Sequence, residues 1–318
     1  MQSETALQGA VASRLNRTIA MFLEAFGLAR DPFVDTADPA FYYDTLPGAH
    51  ARRRLADTLA RGRGLAVVVG PIGAGKTSLF NAVQHDMLVS ERHAVASILD
   101  PTFSDEAELL IAIADAFGFD IDPALPVRAI KDALKRALFD AASRGLQPIL
   151  FIDEAQLLPA TLLEPLRALL NYQLDDRKLL SIAVSGQMEF ASVIAAQPNI
   201  SDRVALWIEL GPLSAPEAAG LLHHRLRCAG FAGNQSPFDD EALHELWRHS
   251  HGLPRRLTTL AREAMEVAAE YARSRVRSSD VRDALARVAP TGGHDVDAAR
   301  AAAPDAPRPW WQWWRRAS

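Results

Sequence analysis

The sequence predicts an α/β protein, with a three-layer αβα core on a parallel sheet followed by an all-helical second domain. Three observations carry this. Short apolar, β-branched runs alternate with amphipathic helical stretches as far as a boundary near residue 212. Beyond that boundary the strand-like runs stop and only helical periodicity continues. Between the first apolar run and the helix after it lies GPIGAGKTS, residues 70–78, with three glycines, a lysine and two hydroxyls.

The elements follow in order. Residues 1–20 are a polar extension, and MFLEAFGLARDPFVDTADPAFYYDTLPG is dense in aromatics, prolines and aspartates. Its prolines exclude one long helix, and its aromatics predict a segment packed on the main domain. AHARRRLADTLARGRG has helical spacing, with Leu55 and Leu59 on one face. LAVVVG reads as a strand buried on both sides. After the glycine-rich stretch, TSLFNAVQHDML is a helix, HAVASILD a strand, and SDEAELLIAIADAFGF a helix capped at Ser104. PVRAIKDALKRALFDAASRG is a further helix, QPILFIDEAQ a strand ending in two acids, and PATLLEPLRALLNYQLDD mostly helix. KLLSIAVSGQ and ALWIELGPL are the last strands. Four helical stretches occupy residues 213–289, and residues 290–309 form a flexible Ala/Asp/Gly/Pro linker before the tail at 310–318.

The chain has 318 residues and a net charge of −5, which argues against a uniformly basic nucleic-acid binder. Its single cysteine, Cys228, reads as a half-buried thiol in a reducing cytoplasm. The first twenty residues lack a continuous apolar stretch, so no secretory leader is expected. No run approaches the roughly 20 apolar residues that span a bilayer.

Residues 70–77 fit G-x-x-x-x-G-K-[ST]: Gly70, Pro71, Ile72, Gly73, Ala74, Gly75, Lys76 and Thr77, with Ser78 following. Glycines let successive backbone N–H groups turn toward one anion, and the following helix adds the positive end of its dipole. Lys76 would reach the terminal phosphates, and the Thr77 hydroxyl would serve Mg²⁺. The strand ILFIDE ends in Asp153, placed to hold the metal's water shell, and Glu154, placed to orient and deprotonate a water. Both features belong to P-loop nucleoside triphosphatases. No N-K-x-D guanine-reading motif is present, and an all-helical second domain fits a lid over ATP.

Taken together, these blocks resemble the AAA+ ATPases of the ExeA type, the general secretion pathway protein A family, over roughly residues 21–288. The resemblance rests on FLEAFGLARDPFVDTADPAFYY, DPTFSDEAELLIAIADAFGF, FIDEAQLL, LRALLNYQLDDRKLLSIAVSGQMEF, HHRLRCAGF and HGLPRRL. Met188 departs from the family's usual proline, and so does Ala37. The resemblance implies a P-loop αβα domain over residues 21–212 and an AAA+ lid over 213–289. It implies Gln187 as a γ-phosphate sensor, with Ser185 as second choice, and Arg255 as a lid arginine reaching the β/γ-phosphates. Arg203 would be a finger offered to a neighbouring subunit's nucleotide, with an intrachain ion pair as the competing reading. His50, Tyr42 and Tyr43 would border the adenine or simply pack.

Two functions compete at this level. One is an ATPase that assembles or remodels an envelope or secretion complex, self-associated as a ring or filament. It would be cytoplasmic and peripheral at the inner face of the membrane. The tail WWQWWRR supports it, because tryptophan and arginine suit an anionic lipid surface or a docking partner. The other is an ATP-dependent regulator binding double-stranded DNA, resembling the Mu B transposition ATPases, supported weakly by the arginine-rich helix.

Overall fold

The computed structural model describes residues 20–34, 38–174 and 177–288. The expectations for residues 1–19, the linker at 290–309 and the tail at 310–318 lie outside the described residues.

Five parallel strands form the main sheet: β1 (Leu65–Val69), β2 (His93–Ile98), β3 (Gln147–Ile152), β4 (Ser181–Gly186) and β5 (Val204–Glu209). Their order across the sheet is β2-β3-β4-β1-β5. The three central strands are buried at every position, whereas the edge strands β2 and β5 are only partly buried. This is why LAVVV and QPILFI read as continuous apolar runs. Side chains alternate faces along a strand. Ala66 and Val68 therefore face one layer with Leu55, Leu59, Leu79 and Phe80, while Leu65, Val67 and Val69 face the other. The first layer is α1 (Leu46–Ala60) and α2 (Lys76–Val89). Phe80 and Phe151 meet there edge to face, with ring centroids 5.1 Å apart. The second layer is α3 (Glu106–Phe117), α4 (Val127–Ser143), α5 (Leu163–Leu169) and α6 (Met188–Ala195).

Two local expectations are corrected. Helix α3 is capped by Asp105, not Ser104. The Asp105 carboxylate accepts the Glu108 N–H at 3.0 Å, and Glu108 reaches back to the Ser104 N–H at 2.6 Å. The stretch from residue 159 is less helical than its leucines suggest. Helix α5 has seven residues, and Pro165 stands in its first turn, where a missing N–H is tolerated. The chain then forms a two-residue antiparallel ladder, Gln173–Leu174 against Arg177–Lys178.

Helices α7 (Ala215–Cys228), α8 (Asp240–Ser250), α9 (Pro254–Glu270) and α10 (Ser278–Arg287) build the second unit. The phenylalanines of the N-terminal aromatic segment pack on this unit, not on the main domain as the sequence suggested, while Tyr42 packs on the sheet side. Phe22, Phe26, Phe33 and Phe41 are buried with Leu222, Leu226, Leu257 and Met265. A small helical unit buries little apolar surface by itself, and these rings complete its interior. Asp31 fixes the attachment through Arg262 at 2.8 Å, and the Ala29 N–H donates to the Ala229 carbonyl at 2.9 Å. The arginines of α1 are partly occupied: Arg52 pairs with Asp44 at 2.8 Å and Asp86 at 2.7 Å, and Arg61 pairs with Asp57. Cys228 is half-buried, as its sequence context predicted.

The start of the lid is anchored at Leu213. Its N–H donates to the Gly252 carbonyl at 2.8 Å, and its own carbonyl accepts Trp247 Nε1 at 2.9 Å. Gly252 has φ of 71°, and a side chain there would run into the Leu213 carbonyl. Gly252→Ala is expected to destabilise the fold by about 1–3 kcal/mol, read as a lower urea midpoint at unchanged slope. An unchanged midpoint would show that this anchor does not require the left-handed backbone.

Candidate functional site

A cleft of about 300 Å³ opens between the carboxyl ends of the strands and the lid. Its walls include the loop from Ile72 to Ser78, Tyr42, Tyr43, Glu154 and Arg255. The loop leaves β1 and enters α2, whose N-cap is Gly75 at φ 97°. Gly73, at φ 79°, lies under the lid: the Arg255 N–H donates to its carbonyl at 3.2 Å, and a Cβ there would sit 3.0 Å from the Arg255 Cβ. The start of α9 thus rests directly on the glycine-rich loop.

Lys76 is 6% exposed, and its Nζ donates to the carbonyls of Gly70 at 3.0 Å and Pro71 at 3.2 Å. The ammonium is held across the mouth of its own loop. Burial pushes its pKa below the ordinary lysine value; Glu154 and Asp153 oppose that shift, and Arg255 adds to it.

Asp153 follows β3 and is 5% exposed. One carboxylate oxygen accepts the Thr77 hydroxyl at 2.5 Å. The other accepts the Ser185 hydroxyl from β4 and the Glu154 N–H at 2.9 Å. Glu154 has φ of 49°, a left-handed backbone uncommon for a residue with a side chain. Its carboxylate accepts the Gln156 side-chain amide, whose oxygen accepts the Gln187 N–H at 3.1 Å.

Most of the expected residues converge. Residues 72–78 of the loop, Glu154 and Arg255 meet at the cleft, the Gly70 and Pro71 carbonyls hold Lys76, Thr77 and Ser185 meet at Asp153, and Gln187 joins through Gln156. Arg203 does not. It precedes β5 at the amino end of the sheet, where its carbonyl accepts the Leu65 N–H at 3.4 Å. The loop lies at the other end of β1, roughly 16 Å away at strand rise. Arg203 is exposed, and none of the described ion pairs includes it. His50 is exposed on α1 and does not line the cleft. Tyr42 lines it with its ring beside Arg52, while the ring of Tyr43 lies tilted against His224 of the lid. The role of Gln156 was not legible from the sequence, although the residue sits two places after Glu154.

The residues present fit a magnesium nucleotide. A cradle whose left-handed Gly73 would be strained and crowded against Arg255 by a side chain adjoins a buried ammonium, and a hydroxyl and a carboxylate supply hard oxygen donors. Fold and cleft together define a P-loop nucleotide-binding protein with a helical lid. Residues 58–194 match the AAA domain family AAA_22. The chain is 29% identical to General secretion pathway protein A of Aeromonas hydrophila over 248 residues, 77% of this chain and 44% of that protein. The chain is thus similar to AAA+ proteins of the ExeA type. The chain spans less than half the length of the curated relatives it matches. Among solved structures, Drosophila ORC bound to DNA superposes with a TM-score of 0.62 at 16% identity, covering 84% of this chain and 65% of that one. The Aeropyrum pernix ORC1 protein in complex with DNA gives 0.59 at 24% identity, covering 81% and 68%. These two likenesses concern the fold. No helix among the described residues is long and apolar enough to cross a membrane.

The Lys76 environment sets a sign for pH dependence. Only the ammonium form would attract phosphate, and burial makes Lys76 lose its proton below the ordinary lysine range. Affinity for ATP is therefore expected to fall as pH rises, beginning below the usual lysine pKa of about 10.4. Fluorescent-nucleotide titrations from neutral to alkaline pH measure this. Affinity that holds up to the ordinary lysine range would contradict it.

Proposed function

We propose that this protein binds ATP with Mg²⁺, hydrolyses it, and uses the cycle to assemble or remodel an envelope or secretion complex. The observation that carries the chemistry is the Asp153 cluster. It puts a metal-suited hydroxyl and carboxylate next to a second carboxylate that faces the phosphate loop.

In this reading the loop amides and Lys76 receive the β- and γ-phosphates, Lys76 exchanging its carbonyl partners for phosphate oxygens. Thr77 and Asp153 hold the metal, which when bound neutralises charge on the phosphates. Glu154 orients a water in line with the γ-phosphorus and takes its proton as attack proceeds. Gln187 senses the γ-phosphate from the end of β4, and Ser185 supports Asp153 from behind. Arg255 couples phosphate to lid angle, because its own backbone already touches Gly73. Arg203 is too far from its own loop to serve it. Its exposed position suits a neighbouring subunit's nucleotide in a ring or filament at the cytoplasmic face of the membrane.

The secretion role draws on the similarity to General secretion pathway protein A. A DNA-binding regulator is not favoured. The net charge is −5, and Arg52 of the arginine-rich helix and Arg61 at its C-cap stand in ion pairs.

Glu154→Gln is expected to bind ATP normally and to turn over about 10²–10⁴-fold more slowly, measured by phosphate release beside equilibrium binding. Normal turnover would remove Glu154 from this role. Arg203→Ala is expected to lose activity alone and to recover part of it when mixed with Lys76→Ala subunits, since each supplies what the other lacks. A mixture no more active than its parts would argue against catalysis shared between subunits.

A further inference from the structure

We propose that Gln156 is a positioning residue: it clamps the Glu154 carboxylate to the loop that opens α6, so that a shift of that loop re-aims the base. The inference rests on the hydrolytic reading of Glu154 above. Two restraints define where this carboxylate points. The backbone is fixed by Asp153, which accepts the Glu154 N–H at 2.9 Å and holds it in the left-handed region. The side chain is fixed by Gln156, whose Nε2 donates to Glu154 Oε2.

The Gln156 amide can sit only one way round. The Glu154 carboxylate offers no donor, and the Gln187 N–H offers no acceptor, so nitrogen must face the acid and oxygen the backbone. Its Oε1 accepts that N–H at 3.1 Å. Gln187 is the N-cap of α6, directly after Gly186 at the end of β4. It therefore stands at the carboxyl edge of the sheet. One planar group spans the gap between the acid and this cap, so neither end can shift without pulling on the other. Gln156 itself is not part of the cleft wall, whereas Glu154 is. A residue placed this way acts on the water through Glu154 and not by touching it.

The test uses the full chain, with steady-state phosphate release and fluorescent-ATP binding measured side by side. Gln156→Ala is expected to lower kcat about 10- to 100-fold while KM and nucleotide affinity move by less than about 3-fold. Gln156→His keeps one donor and one acceptor while the ring is neutral. It is expected to recover much of the rate above the imidazole pKa of about 6.5 and to lose it on acidification, a limb absent from the parent. In the Glu154→Gln background, Gln156→Ala is expected to add no further loss, because the group it positions has already been disabled. The proposal is overturned by a parental kcat in Gln156→Ala, by a loss confined to KM or affinity, by a histidine variant with no recovery, or by additive losses in the double variant. If Glu154→Gln itself hydrolyses at the parental rate, the reading of Glu154 fails first, and the Gln156 proposal fails with it.

Discussion

A single buried carboxylate organises this protein. Asp153 takes hydrogen bonds from Thr77 in the first turn of α2, from Ser185 of β4 and from its own following residue. Burying an unpaired carboxylate would cost several kcal/mol, so the three donors are a condition of its presence and not an ornament. Because the donors come from the start of α2, from β4 and from the residue after β3, meeting that condition holds these elements against one another at the carboxyl end of the sheet. The register of the sheet does the rest: Val69 lies opposite Gly186, and Ile152 opposite Val184. Phosphate loop, metal-suited oxygens and acid thereby share one rigid frame.

The lid is tied to that frame at two levels. Backbone contacts join Arg255 to Gly73 and Leu213 to Gly252, so the lid's position is registered by main-chain atoms that any nucleotide must also approach. Side-chain packing then adds the N-terminal segment to the lid. Gly220 on α7 leaves a notch for the Tyr43 hydroxyl, and the ring lies against His224. The cleft is consequently walled by a segment packed on the lid on one side and by the sheet edge on the other.

The sequence made the chemistry legible where it resides in local backbone. The glycine-rich loop, the strand before it and the acid pair after β3 are contiguous stretches whose geometry follows from residue type. Central strands were legible because burial on both faces demands an unbroken apolar run. What depends on tertiary partners was not. The phenylalanines from Phe22 to Phe41 announced burial but not which unit they would fill. Asp105 and Ser104 are both good caps, and only the backbone direction before α3 chooses between them. Gln156 is one amide among many until Glu154 and Gln187 are brought to its two ends. Arg203 could be named from its motif, yet its distance from its own loop follows only from strand order.

The most direct measurement is calorimetric titration of ATP with and without Mg²⁺, on the parent and on Asp153→Asn. The account predicts that magnesium tightens binding to the parent by at least about tenfold and that Asp153→Asn loses most of that gain while keeping metal-free affinity. A parent that binds no nucleotide, or an Asp153→Asn protein with undiminished magnesium dependence, would contradict it.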